Sequence, residues 1–178
     1  TADGLAMAYR AGATLTDMEF MQFHPTTLYV AGATRTLITE AMRGEGAYLV
    51  DRKGNRFMKE YHEMAELAPR DIVSRVIYNH MARTNATNVY LDVRHLGSAW
   101  LAERFPTISE LCKSFDIDVD TDLIPVRPSA HYMIGGVKTD IQGRTGIASL
   151  YCCGESSATD STSAMSPGST RPTTRRHA

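Results

Sequence analysis

The chain has 178 residues, enough for one domain with a core and short for two. Nineteen Lys and Arg against twenty Asp and Glu leave a net charge of -1, which excludes a general attraction to nucleic acid or an acidic membrane surface, so any anion binding must be local. No apolar run approaches the roughly 20 residues of a bilayer span and no signal peptide precedes the first motif, so a soluble, cytoplasmic protein is expected. Cys112, Cys152 and Cys153 are odd in number and lack metal-ligand spacing. They are read as reduced, packed thiols.

Thr1 enters at once on a helical pattern, as in a piece of a longer polypeptide. Residues 3 to 12 predict a helix with Asp3 as N-cap and Gly12 as its stop. Asp17 to Phe23 alternates like a half-buried strand, and His24-Pro25 then predicts an extended exit that delivers His24 to a loop mouth. Residues 36 to 43 fit a short helix or a turn. Tyr48 to Val50 and Arg56 to Met58 predict a hairpin turning at Lys53-Gly54-Asn55.

Apolar spacing at Ile72, Val73, Val76, Ile77 and Met81 predicts a helix over 71 to 83, with Pro69 tolerated at its start and Arg70 at its N-terminal end. A strand is expected at 89 to 93, helices around 98 to 105 and 108 to 115, and an extended segment at 124 to 130. Strands at 137 to 140 and 150 to 153 flank a turn at Gln142-Gly143. From Ser156 onward Ser, Thr, Pro and Arg dominate without apolar period, which predicts a disordered tail.

Four stretches carry chemistry: Gln22 to Thr26, Thr39 to Gly46, Ala-Pro-Arg-Asp at 68 to 71, and His-Tyr-Met-Ile-Gly-Gly at 131 to 136. His24 can be a satisfied structural residue, or with Gln22 and Thr26 it can face a polar cavity. Glu40 and Arg43, three apart, can pair on a helical surface. That leaves Gly44 and Gly46 unexplained, and these glycines suggest backbone brought close to a ligand or cofactor ring. Arg70 at a helix start adds positive charge where the helix already favours anions, which suits a held carboxylate. Together the four stretches point to an anion site.

The runs Asp17 to Thr26, Leu37 to Leu49, Arg56-Phe-Met58, Glu66 to Arg75 and Ala130 to Val137 resemble the succinate dehydrogenase and fumarate reductase flavoprotein superfamily. Glu66-Leu-Ala-Pro-Arg-Asp71, and Gly143-Arg-Thr145 leading to Leu150-Tyr-Cys-Cys-Gly-Glu155, resemble its L-aspartate oxidase branch. The resemblance covers residues 1 to 155. It implies an α+β fold: a capping domain of a flavoprotein oxidoreductase at 18 to 133, with partial segments of the α/β FAD-binding domain at 1 to 17 and 134 to 155, and an atypical tail at 156 to 178. It also implies that the glycine-rich FAD fingerprint lies outside this chain, which would then be a fragment.

By the same resemblance, Gln22, His24, Thr39, Glu40 and His131 match substrate-binding positions, Arg70 the proton donor or acceptor, and Asp3 and Glu155 contacts to the cofactor FAD. No metal is implied. The expected reaction is oxidation of L-aspartate to iminoaspartate with oxygen or fumarate as acceptor, in NAD biosynthesis through quinolinate, with quinolinate synthase a possible partner downstream. A succinate dehydrogenase or fumarate reductase flavoprotein fragment is the alternative enzyme, and a non-catalytic dicarboxylate-binding module the alternative of another class. Where the family continues with His-Gly-Ala-Asn-Arg, this chain departs, and Ser166 stands at the expected arginine. A frameshift or chimeric end near Ala158 is expected on that ground, with weak binding of FAD and substrate by the chain as written. Exposed apolar surface is expected around residues 5 to 11 and 137 to 153.

Overall fold

The computed structural model of the protein describes residues 2–34 and 36–159. It divides into two compact units, one of Thr1–Met21 with Met133–Ala178 and one of Gln22–Tyr132.

In the first unit, helix α1 (Asp3–Arg10) is built from small and long-chain residues with good helix propensity and buries Ala8. Ala2, not Asp3, occupies the cap position and makes no side-chain cap bond; Asp3 lies in the first turn, where its charge meets the positive helix end. Strand β1 (Leu15–Thr16) pairs antiparallel with β6 (Gly136–Thr139), which pairs parallel with β7 (Ser157–Thr159). Val137, Ala8 and Ala13 form the small core, with Leu5, Leu15, Ile147 and Leu150 packed against it. A Cβ on Gly135 would lie 2.3 Å from the Asp17 carbonyl oxygen, so only glycine permits that backbone approach.

Two further expectations are corrected in this unit. Ser157–Thr159, expected to belong to a disordered tail, form β7, because the open edge of β6 gives them backbone partners that compensate for their lack of apolar side chains. The remainder of the predicted tail, with Ser166, lies outside the described residues. The predicted strand at 150 to 153 amounts to an isolated bridge between Arg144 and Tyr151, since Gly143 and Gly146 at positive φ turn the chain too tightly for a ladder. Met7, Tyr9, Ile141 and Tyr151 are exposed, within the ranges where exposed apolar surface was expected.

The second unit holds a sheet in the order β2-β5-β4-β3, from β2 (Met21–Leu28), β3 (Tyr48–Val50), β4 (Val89–Asp92) and β5 (Ile124–Met133). The β3–β4 and β4–β5 pairs are antiparallel, with Leu49 opposite Leu91 and Leu91 opposite Ile124. These side chains are fully buried with Val73, Ile77, Met42, Met58 and Leu101. Helix α3 (Arg70–Thr84) begins after Pro69, whose fixed φ suits a helix entrance, and ends on Asn85 in the left-handed conformation. Helices α4 (Ser98–Arg104) and α5 (Pro106–Ser114) are separated by Phe105 alone, and α5 begins two residues before the predicted 108 because Pro106 is suited to a first helical position. Cys112 is buried there, and burial pushes its thiol up to about 11. All three cysteines are free. Among the described residues no helix is long and apolar enough to cross a membrane.

Candidate active site

His24 does not leave the sheet for a loop mouth, as the sequence suggested. Strand β2 runs through His24 and Pro25 to Leu28, and His24 is only 3% exposed. As an outer strand of its sheet, β2 tolerates a proline that an inner strand would not. Beyond Pro25, the Leu28 amide bonds to the Thr36 carbonyl and the Ile38 amide to the Thr26 carbonyl, so the segment 36–38 lines this strand. Thr26 Oγ1 donates to the Ile38 carbonyl at 2.8 Å. The same segment leads into Thr39, whose Oγ1 caps α2 (Glu40–Gly44) by accepting the Ala41 amide at 3.3 Å. Thr39 is exposed, and its hydroxyl proton remains available to an anion.

Helix α2 presents Glu40 to the N-terminus of α3. Arg70 Nε donates to Glu40 Oε2 at 2.6 Å, and Arg70 Nη1 donates to Gln22 Oε1 at 3.1 Å. Arg43, three residues after Glu40, is 2% exposed and not at the surface as a simple ion pair would be. Its Nη2 lies 3.9 Å from Glu40 Oε1, its Nη1 donates to the Glu66 carbonyl, and its Nε and Nη2 have no hydrogen-bond partner among the described residues. Burial pulls the Arg43 guanidinium below the usual arginine range, and Glu40 opposes that pull.

The His24 ring meets the His131 ring edge-on, with centroids 5.3 Å apart and planes at 77°. His24 Nδ1 accepts the Thr26 amide at 3.3 Å, so the neutral ring carries its proton on Nε2 and offers it as a donor. Burial first, then the positive charges of Arg70, His131 and Arg43, lower its pKa from 6.5 to about 4. His24 is therefore an uncharged donor at neutral pH.

Of the positions singled out in the sequence, Gln22 and Glu40 meet at Arg70 through hydrogen bonds and His24 meets His131 through a ring contact; both groups lie in this one unit, the charge of Arg70 is felt at His24, and Thr39 is the cap before Glu40. Asp3 and Glu155 lie in the other unit, both exposed. Gly46, at φ +109, reverses the chain after α2, and its carbonyl bonds to His95 Nε2 at 3.1 Å, which gives a glycine at that position a local reason. Glu45 pairs outward with Arg104. Arg43 was missed as a member of this cluster. Its spacing from Glu40 pointed to it, but burial, which separates a surface pair from an interior one, is not written in that spacing.

Residues 1–170 match the family described as FAD binding domain. The chain is 51% identical over 162 residues to an L-aspartate oxidase of Streptomyces coelicolor, and 50% identical over 163 residues to one of Nostoc sp.. Each match covers 89% of this chain, which spans 28% of the length of either relative. An Escherichia coli quinol fumarate reductase FrdA structure superposes with TM-score 0.77 at 40% identity, covering 89% of this chain and 30% of that one. With its mixed α/β fold and a family match over nearly its whole length, the chain belongs to the FAD binding domain family.

Proposed function

We propose that this chain is the substrate-binding portion of an FAD-dependent L-aspartate oxidase, which converts L-aspartate to iminoaspartate in the cytoplasm with oxygen or fumarate as acceptor. The observation that supports this most directly is the Arg70 guanidinium held between Glu40 and Gln22, in the unit that also pairs His24 with His131. We read Gln22–Tyr132 as the capping domain and the other unit as part of the FAD-binding domain.

The residues present fit FAD. Asp3 and Glu155 are exposed carboxylates, suited to accept bonds from the cofactor's sugar hydroxyls. At Gly154, beside Glu155, no atom of the described residues lies within 4 Å of where a Cβ would stand, which leaves room for a ligand beside the backbone. When bound, FAD supplies the acceptor for a hydride from the substrate α-carbon.

The chain's own residues bind, orient and move a proton. His24 Nε2–H, His131 and the Thr39 hydroxyl donate to the two carboxylates of the C4 substrate. An uncharged His24 does so without adding a buried charge of its own. Glu40, half-buried, meets the amino group that distinguishes aspartate from succinate. Arg70 handles the proton at its guanidinium, and Glu40 Oε2, 2.6 Å from Nε, is placed to exchange it. The imine product is unstable in water and requires a condensing enzyme downstream, a role suited to quinolinate synthase.

A second reading, a fumarate reductase or succinate dehydrogenase flavoprotein, is favoured by the similarity to FrdA. Anaerobic mixing of the complete flavoprotein containing this segment with each substrate separates the two. L-aspartate is expected to bleach the flavin and, in air, to yield peroxide. Bleaching by succinate alone would replace the first reading with the second.

A further inference from the structure

Glu66 stands in the short 3-10 helix Ala65–Leu67, four residues ahead of Arg70, and is 3% exposed. A carboxylate this deep is costly unless its oxygens are met by donors. Arg56 supplies two parallel bonds, Nε to Oε1 at 2.8 Å and Nη2 to Oε2 at 2.6 Å, and the Leu49 amide adds another to Oε1 at 3.2 Å. Arg56 is itself fixed, with its guanidinium carbon 4.1 Å above the Tyr48 ring, which stacks on His95. On the main chain, the Glu66 carbonyl accepts from Arg43. One residue is thus gripped from β3, from Arg56 beyond the turn that follows β3, and from α2.

Little slack separates this grip from Arg70. Ala68 is fully buried with φ -58 and ψ 157, and Pro69 follows with φ -50 and ψ 146. A locked, extended link of this kind transmits a displacement of Glu66 to the Arg70 backbone. The contacts also close on themselves: Arg70 bonds to Glu40, α2 joins Glu40 to Arg43, and Arg43 bonds back to Glu66. Glu66 therefore bears both on where Arg70 starts and on where its partner Glu40 sits.

We propose that Glu66, with Arg56 as its counter-ion, is a positioning residue that sets the placement of the Arg70 guanidinium against Glu40 and Gln22. This rests on the reading of Arg70 as the residue that handles the proton. A brace that served only the fold would have the same contacts, so the test must ask whether Glu66 acts through Arg70.

The experiment uses the complete FAD-loaded enzyme in four forms: unchanged, Glu66→Gln, Arg70→Lys and both together. Glu66→Gln is expected to lower kcat for L-aspartate by about 10- to 100-fold with KM changed less than about threefold, and to cost less than about twofold once Arg70 is already Lys. Equal fold losses in both backgrounds would overturn the proposal. Hydrogen exchange on the same proteins reads the clamp without turnover: amides of residues 66 to 73 are expected to exchange at least about tenfold faster in Glu66→Gln, while α4 and α5 stay unchanged. Unchanged exchange at 66 to 73 would also overturn it. Arg56→Lys keeps the charge but loses the paired geometry, should give the same pattern at smaller size, and serves if Glu66→Gln does not fold. If the unchanged enzyme ignores aspartate and succinate while 66 to 73 loosen in Glu66→Gln, the functional reading fails and the clamp does not.

Discussion

The buried imidazole of His24 meets the edge of the exposed His131 ring at 5.3 Å, so one histidine of the pair is walled off from water while the other faces it. The difference has a thermodynamic signature. His24 takes up its proton near pH 6.5 when unfolded and only near pH 4 when folded, because burial and three neighbouring cations disfavour the charged ring. Between those values the unfolded chain binds the extra proton, so stability falls as pH falls through this window. The loss levels off near pH 4 at a size on the order of 3 kcal/mol. Urea midpoints at pH 7.5 and 4.5 should differ less in His24→Gln than in the unchanged chain; an equal difference would count against this account.

Arg70→Leu in the complete flavoprotein is expected to lower turnover of L-aspartate by about 100- to 10,000-fold, the usual range for removing an acid–base group. Asp3 and Glu155, the proposed FAD contacts, lie in a different compact unit, so flavin content should be nearly unchanged. Flavin absorbance per protein alongside kcat decides the matter: parallel loss of both would refute the assigned role.

Gly135→Ala should be the most damaging small substitution in the first unit. Its methyl would sit 2.3 Å from the Asp17 oxygen and 2.6 Å from the Met18 nitrogen, both backbone atoms with no rotamer to yield. Unfolding or insolubility is expected, whereas Gly54→Ala, with no atom within 4 Å, should cost only about 1 kcal/mol or somewhat more for its positive φ. Comparable melting temperatures for the two variants would show that the close approach at Gly135 is not required.

Thr26→Val keeps the shape of a fully buried side chain and removes its bond to the Ile38 carbonyl. Leaving that acceptor unmet should cost about 1–3 kcal/mol. Because Ile38 immediately precedes the Thr39 cap, hydrogen exchange should quicken at the start of α2 as well as in β2. A melting curve that matches the unchanged chain would remove Thr26 from the elements holding α2 in place.

What could be read from the sequence was what local chemistry decides. Helix α3 was legible because Ile72, Val73, Val76, Ile77 and Met81 recur at helical spacing behind a proline that suits a helix entrance, and the turn at Lys53 to Asn55 because glycine and asparagine favour it. The reach of β2 was not legible: His24-Pro25 reads as a strand end until its outer place in the sheet is known. Strand β7 was missed because Ser157-Ala-Thr159 has no apolar alternation, and β6 supplies its pairing. Within the cluster, the residue types were readable from their motifs, but the contacts between Arg70, Glu40 and Gln22 and the depth of Arg43 follow from tertiary packing.

The sheet order β2-β5-β4-β3 also sets a timetable for folding. Strands β3, β4 and β5 pair with partners much closer in sequence, whereas the β2–β5 contact joins Thr27 to Ser129 across 102 positions. Closing a longer loop carries a larger entropic penalty and slows contact formation. His24 and His131 lie on these last two strands to meet, so their pairing should be a late event in refolding. Pulsed hydrogen labelling should protect the Leu91 amide, in the inner strand β4, before that of Tyr29, which bonds to the Pro125 carbonyl; the reverse order would show that the sheet assembles from its other side.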